Sequence, residues 1–189
     1  MEKTAVQKLA GVLKVLVTVT LVCNLVALLL VPGMSLMKGP EELLALTPYE
    51  NPLEVPLRVG IAFVLSWGWV WTAGVYEVVL ALFLLFCGIC TAVILWQGRR
   101  VLGTILTGAP FRAENGVSLR RAAVCCFLIA AAALARVVWG LFYYGSVAPL
   151  LTYNALFVPI FILGGLLCLV MSALFRQAAE LKAENDLTI

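Results

Sequence analysis

Four apolar stretches, each long enough to need a bilayer, decide what this chain can become. They run from about Leu13 to Val31, Val75 to Trp96, Ala122 to Tyr144 and Asn154 to Phe175. A helix needs about 20 apolar residues to cross roughly 30 Å of hydrocarbon, and each stretch meets that length. The whole chain is 63% hydrophobic and 12% charged, whereas a soluble domain is about 45–50% apolar and about 25% charged. One small core cannot hide that much apolar surface, so the expected fold is all-α, a membrane-spanning four-helix bundle forming a single integral membrane domain over residues 1–189.

Charge placement gives the expected topology. Lys3, Lys8 and Lys14 flank the first span, and Arg176 and Lys182 follow the fourth. Arg99, Arg100, Arg112, Arg120 and Arg121 lie between the second and third. The long connection at 32–74 instead carries Glu41, Glu42, Glu50 and Glu54 against Lys38 and Arg58. Positive residues favour the cytoplasmic side. Both termini, the basic hairpin at 97–121 and the tail at 176–189 are therefore expected inside, with 32–74 outside. The first span has the basic start of a signal peptide, but its apolar run is long and no small-x-small site precedes VPGMS, so it reads as an uncleaved anchor.

Within the outer connection, VGIAFVLSWGWVW (Val59 to Trp71) is apolar enough to resemble a fifth span. Counting it would place Arg99 and Arg100 outside. We therefore expect an interfacial or partly re-entrant segment, with Trp67, Trp69 and Trp71 alternating as on an extended strand.

Inside the spans, Ala130 to Ala133 and Ala135 in the third, and Gly164, Gly165, Cys168 and Ser172 in the fourth, are small residues of the kind that let helices approach in lipid. They read as packing within one bundle or between two copies, a homo-oligomer, rather than as a channel. Pro159 removes one backbone donor from the fourth helix, and a kink is expected there. Two ionisable residues stand at membrane depth, Glu77 and Arg136. As a pair they would close an outward-facing polar pocket; alternatively, Glu77 is interfacial and Arg136 snorkels to water.

Catalytic chemistry has little to build on. The chain has no histidine, which removes the commonest general base and metal ligand. No Gly-rich phosphate loop and no buried carboxylate pair is present. Cys87-Gly-Ile-Cys90 puts two thiols three residues apart on one helix face, the spacing of dithiol redox sites. The outer connection has no relay cysteine, however, and Cys23, Cys125, Cys126 and Cys168 are scattered as small hydrophobes would be. No catalytic residue, cofactor or metal is expected, and a net charge of +3 gives no reason to expect direct nucleic-acid binding.

The polar segment ILTGAPFRAENGVSLRR (Ile105 to Arg121) carries the most specific pattern. Gly108-Ala109-Pro110-Phe111 reads as a chain reversal, Asn115-Gly116 as a turn, and Ser118 as the cap of the third span's helix. Gly108, Pro110, Phe111, Glu114, Asn115, Leu119, Arg120 and Arg121 together resemble the characteristic segment of a bacterial membrane family known as domain of unknown function family 2975. The tail FRQAAELKAENDLTI, with Leu181, Glu184, Asn185, Leu187 and Thr188, is similar to that family's ending. The resemblance implies a four-helix protein of the bacterial inner membrane with no established activity. Members are often encoded beside a small helix-turn-helix regulator. That implies a cytoplasmic partner met by the hairpin (Arg99, Arg100, Pro110, Phe111, Glu114, Asn115, Arg120, Arg121) and by a helical tail from Phe175 to Asn185. The leading expectation is thus a non-enzymatic sensor or accessory protein, in contact with the lipid bilayer and with such a regulator. The alternatives are a thiol-redox enzyme using Cys87 and Cys90, and a small-molecule binder or exporter.

Overall fold

The computed structural model describes residues 5–36 and 55–187. Glu41, Glu42, Glu50, Glu54, Lys38, Lys3 and Thr188, on which parts of the charge and tail readings rest, lie outside the described residues. Among the described residues there are five α-helices: α1 Ala5–Leu36, α2 Val55–Trp69, α3 Val75–Leu106, α4 Ala113–Tyr144 and α5 Tyr153–Leu187. Short 3-10 turns at Val70–Thr72 and Ala148–Leu151 follow α2 and α4. There is no strand among the described residues.

Among the described residues, four helices are long and apolar enough to cross a membrane, over Ala5–Gly33, Val75–Leu106, Ala113–Tyr144 and Tyr153–Asn185. The helices outrun the apolar stretches. A 32-residue helix such as α3 is about 48 Å long at about 1.5 Å per residue. Hydrogen bonding does not stop where hydrophobicity does, so each helix continues into the polar flank. The tail expected to be helical is so: α5 runs unbroken through Pro159 to Leu187.

The chain divides into two compact units, one comprising Met1–Asn24 and Ile89–Ile189, the other Leu25–Gly88. In the first, α4 and α5 form an antiparallel hairpin. Small residues set its spacing. A Cβ on Gly116 would lie 3.1 Å from the Ser172 carbonyl oxygen and 2.8 Å from Arg176 Cγ; one on Gly165 would lie 2.9 Å from the Phe127 ring. The face of α4 that α5 covers is buried at Ala123, Cys126, Ala130, Ala133 and Val137, the three-and-four spacing of one helix face. On α5, Leu156, Ile160, Leu163, Leu167, Val170 and Leu174 repeat at the same spacing but are exposed. An apolar stripe that long is tolerated where the solvent is hydrocarbon.

The hairpin's connection is locally encoded. Gly145 has φ +59° and its N–H donates to the Leu141 carbonyl (3.0 Å), a left-handed helix cap. Pro149 then seats on Gly140, where a Cβ would meet Pro149 Cγ at 3.2 Å. Trp139 stacks on Tyr143, ring centroids 4.9 Å apart, and Tyr144 and Tyr153 are exposed. Aromatic residues therefore ring this end of the hairpin, as at a membrane–water interface, while Arg112, Arg120, Arg121 and Arg176 gather at the other.

In the unit Leu25–Gly88, Val31, Val70 and Ala81 are buried with Leu84 and Leu85 against them. Gly88 makes room for Leu28, whose Cδ2 would be 2.5 Å from a Cβ there. The tryptophans differ from expectation. Trp67 and Trp69 lie in helix α2 and Trp71 in the 3-10 turn, not in an extended segment. An isolated extended stretch at membrane depth would leave its backbone groups unpaired, whereas a helix satisfies them internally. Trp67 Nε1 donates to the Leu29 carbonyl (3.0 Å). At 15 residues, α2 is about 22 Å long, shorter than the bilayer's hydrocarbon.

Candidate functional site

The most elaborated polar region is the turn between α3 and α4, with the helix ends that flank it. It begins with a glycine that only a left-handed residue can replace. Gly108 has φ +75°. Its N–H donates to the Ile105 carbonyl (3.1 Å) and that of Ala109 to the Thr104 carbonyl (3.1 Å). These are the paired bonds of a Schellman end. Pro110 then prevents the helix from resuming, and α4 starts at Ala113.

Two expectations for this segment are corrected. Asn115-Gly116 is not a turn, and Ser118 is not a cap: all three lie within α4, whose N-cap is Arg112 with no side-chain capping bond. The reason is tertiary. Asn115 is 2% exposed, and its Nδ2 donates both to Thr104 Oγ1 (2.7 Å) and to the Pro110 carbonyl (2.7 Å). Thr104 in turn donates to the Val101 carbonyl (2.7 Å). One amide thereby ties the end of α3, the turn and the start of α4. Gly116 is needed for the approach of α5, where Ser172 Oγ donates to the Gly116 carbonyl (2.7 Å) in a buried bond. Ser118 is buried on the side of α4 that carries Asn115, lining a cavity with Thr104.

Around this latch the expected contact residues take different positions. Phe111, at the tip of the turn, is 52% exposed. Arg112, Glu114, Arg120 and Arg121 are exposed, and Glu114 sits in the first turn of α4, where a carboxylate complements the helix dipole. Pro110 contributes its carbonyl to the latch. Arg100, Thr104, Thr107, Arg112, Glu114 and Ser118 line a cavity of about 270 Å³. A second cavity of about 270 Å³ is bounded by Lys14, Trp96, Arg99, Arg100 and Gly103. Arg99 lies over the Trp96 ring, 5.7 Å from its centroid, a cation–π arrangement.

The intramembrane residues are placed as follows. Arg136 Nη1 donates to Asn154 Oδ1 (3.3 Å), joining α4 to α5 near the aromatic end. Glu77 occupies the first turn of α3, folded back so that a Cβ on Gly74 would meet its Oε2 at 2.5 Å. Cys87 and Cys90 stand on α3. Cys90 neighbours Cys125 on α4, and Cys126 neighbours Cys168 on α5. All six cysteines are free thiols. Among the described residues, no three His, Cys, Asp or Glu side chains are grouped to hold a metal ion.

Nothing in the sequence pattern marks Thr104 or Gln97, and by that pattern Ser172 is only a small packing residue. Gln97 is buried, and its Oε1 has no hydrogen-bond partner among the described residues. Their only advance signal is position: 97, 101 and 104 follow one face of α3.

Long apolar helices, an aromatic end opposed to a cationic end, and an exposed apolar stripe on α5 define a multi-pass helical membrane protein. Residues 15–189 match the family described as Protein of unknown function (DUF2975). The chain belongs to that family, in agreement with the pattern around Gly108, Asn115 and Arg120. No curated protein and no solved structure matches it.

Proposed function

We propose that this protein is a non-enzymatic sensor or accessory protein of the bacterial inner membrane, with both termini and the Arg-rich turn in the cytoplasm. It engages a small helix-turn-helix regulator through the α3–α4 turn and the tail of α5. The observation that carries this reading is Phe111, half exposed at the tip of a turn that Asn115 pins from beneath. A pinned turn holds an apolar anchor out to solvent at low entropic cost, and preordering of that kind favours recognition. Exposed Arg112, Arg120 and Arg121 surround the anchor, and cations at a rim steer and orient an acidic partner. The helical tail supplies a second exposed surface on the same unit.

Co-purification tests the reading. The full chain should retain the regulator encoded beside it. Phe111→Ser together with Arg120→Glu and Arg121→Glu, or removal of the residues after Arg176, should release it. Absence of any association with the intact chain overturns the proposal.

A further inference from the structure

Three cations, Lys14 on α1 and Arg99 and Arg100 on α3, border one cavity. Lys14 is half-buried, although it interrupts an apolar run. Its Nζ reaches Gly103, 3.6 Å from where a Cβ would stand, so a side chain larger than methyl there would compete with the ammonium. Arg99 and Arg100 border the same cavity of about 270 Å³. Among the described residues no acidic side chain forms an ion pair with any of the three. Like charges gathered around one cavity repel one another, so an anion in the cavity relieves the cluster.

Size and depth narrow the class of anion. The cavity equals roughly nine waters at about 30 Å³ each, ample for a phosphate and part of a headgroup. Trp96 is the last residue of an apolar run, and it is 51% exposed with Arg99 laid over its ring. Tryptophan at such a boundary marks headgroup level. Leu13, beside Lys14, is also exposed, so the cavity is flanked by apolar surface that lipid chains would cover.

We propose that the cavity bounded by Lys14, Trp96, Arg99, Arg100 and Gly103 is a binding site for the phosphate of an anionic phospholipid headgroup. The guanidinium groups of Arg99 and Arg100 and the Lys14 ammonium donate to the phosphate oxygens. Gly103 keeps the floor open, and Trp96 sets the depth.

Native mass spectrometry of the full chain, offered equal phosphatidylglycerol and phosphatidylcholine, tests the assignment. The protein should retain phosphatidylglycerol preferentially. Lys14→Gln, Arg99→Gln and Arg100→Gln should each weaken retention about fivefold, the equivalent of about 1 kcal/mol per cation near an anionic surface. Gly103→Leu should abolish the preference with no change in charge, whereas Arg121→Gln, outside the cavity, should leave it intact. Should Gly103→Leu fail to fold, the three glutamine variants decide alone. Equal losses from Arg121→Gln and Arg100→Gln, or an unaltered preference in a folded Gly103→Leu protein, would mean diffuse attraction and overturn the site. Displacement of bound lipid by inorganic phosphate, with no preference between the two lipids, would overturn the lipid assignment in favour of a soluble phosphate.

Discussion

Replacing Asn115 by alanine removes the latch and leaves the rest of the turn's chemistry in place. Both acceptors keep a second bond: the Pro110 carbonyl still receives the Arg112 N–H (3.1 Å), and the Thr104 hydroxyl still donates to the Val101 carbonyl. Neither is stranded, so the loss is two net hydrogen bonds at about 1 kcal/mol each, about 2 kcal/mol in all. Asn115→Asp keeps the shape but turns the donor into a buried acceptor facing two oxygens, and should cost clearly more than alanine. Hydrogen–deuterium exchange of residues 104–118 in detergent gives the readout. A local opening made easier by about 2 kcal/mol accelerates exchange roughly 30-fold. The pair Thr104→Val and Asn115→Ala should couple by about 1 kcal/mol in a double-mutant cycle. Exchange in Asn115→Ala equal to the parent, or an aspartate no worse than alanine, would refute the idea that this amide ties α3 to α4.

Other expectations follow from single contacts. Gly116→Ala and Gly165→Ala each drive a Cβ into a close neighbour across the α4–α5 interface and should destabilise by about 1–3 kcal/mol, read as a lower melting temperature in detergent. Gly108→Ala forces a Cβ into the left-handed region at φ +75° and should cost about 1–2 kcal/mol, with faster exchange confined to the turn. Trp67→Phe forfeits the bond to the Leu29 carbonyl and should lower stability by about 1 kcal/mol, while Trp69→Phe, 61% exposed, should leave it unchanged. Replacing Cys87 and Cys90 together by alanine should leave regulator association as it is; loss of association would favour the thiol-redox alternative.

Part of this structure is legible in the sequence alone. The apolar runs located the membrane helices because transfer into lipid acts locally and additively along a chain. Gly108 and Pro110 announced the turn for a similar reason, since backbone permissiveness and a missing donor belong to the residue itself. Asn115-Gly116 misled because its usual meaning is also local: Asn tolerates left-handed backbone and Gly prefers it. Here the amide serves Thr104 and Pro110, and the glycine serves α5, partners that sequence proximity does not reveal. Ser118 was read as a cap because Ala122 opens the apolar run, yet hydrogen bonding carries α4 back to Ala113. The Trp67, Trp69 and Trp71 alternation mimicked a strand, and backbone satisfaction at membrane depth overrode that pattern.

The unbroken course of α5 has a mechanical consequence. Ser172 and Arg176 are where Gly116 lets α4 close on it, and beyond Arg176 the helix continues to Leu187, about 17 Å at about 1.5 Å per residue. That clamp makes a fulcrum and the remainder a rigid arm. A change of tilt of about 10°, well within the range membrane helices adopt, swings the arm's tip by about 3 Å. A rearrangement at the aromatic end of the same helix, where Asn154 holds Arg136, would therefore reach the tail as a displacement, with no intervening loop to absorb it.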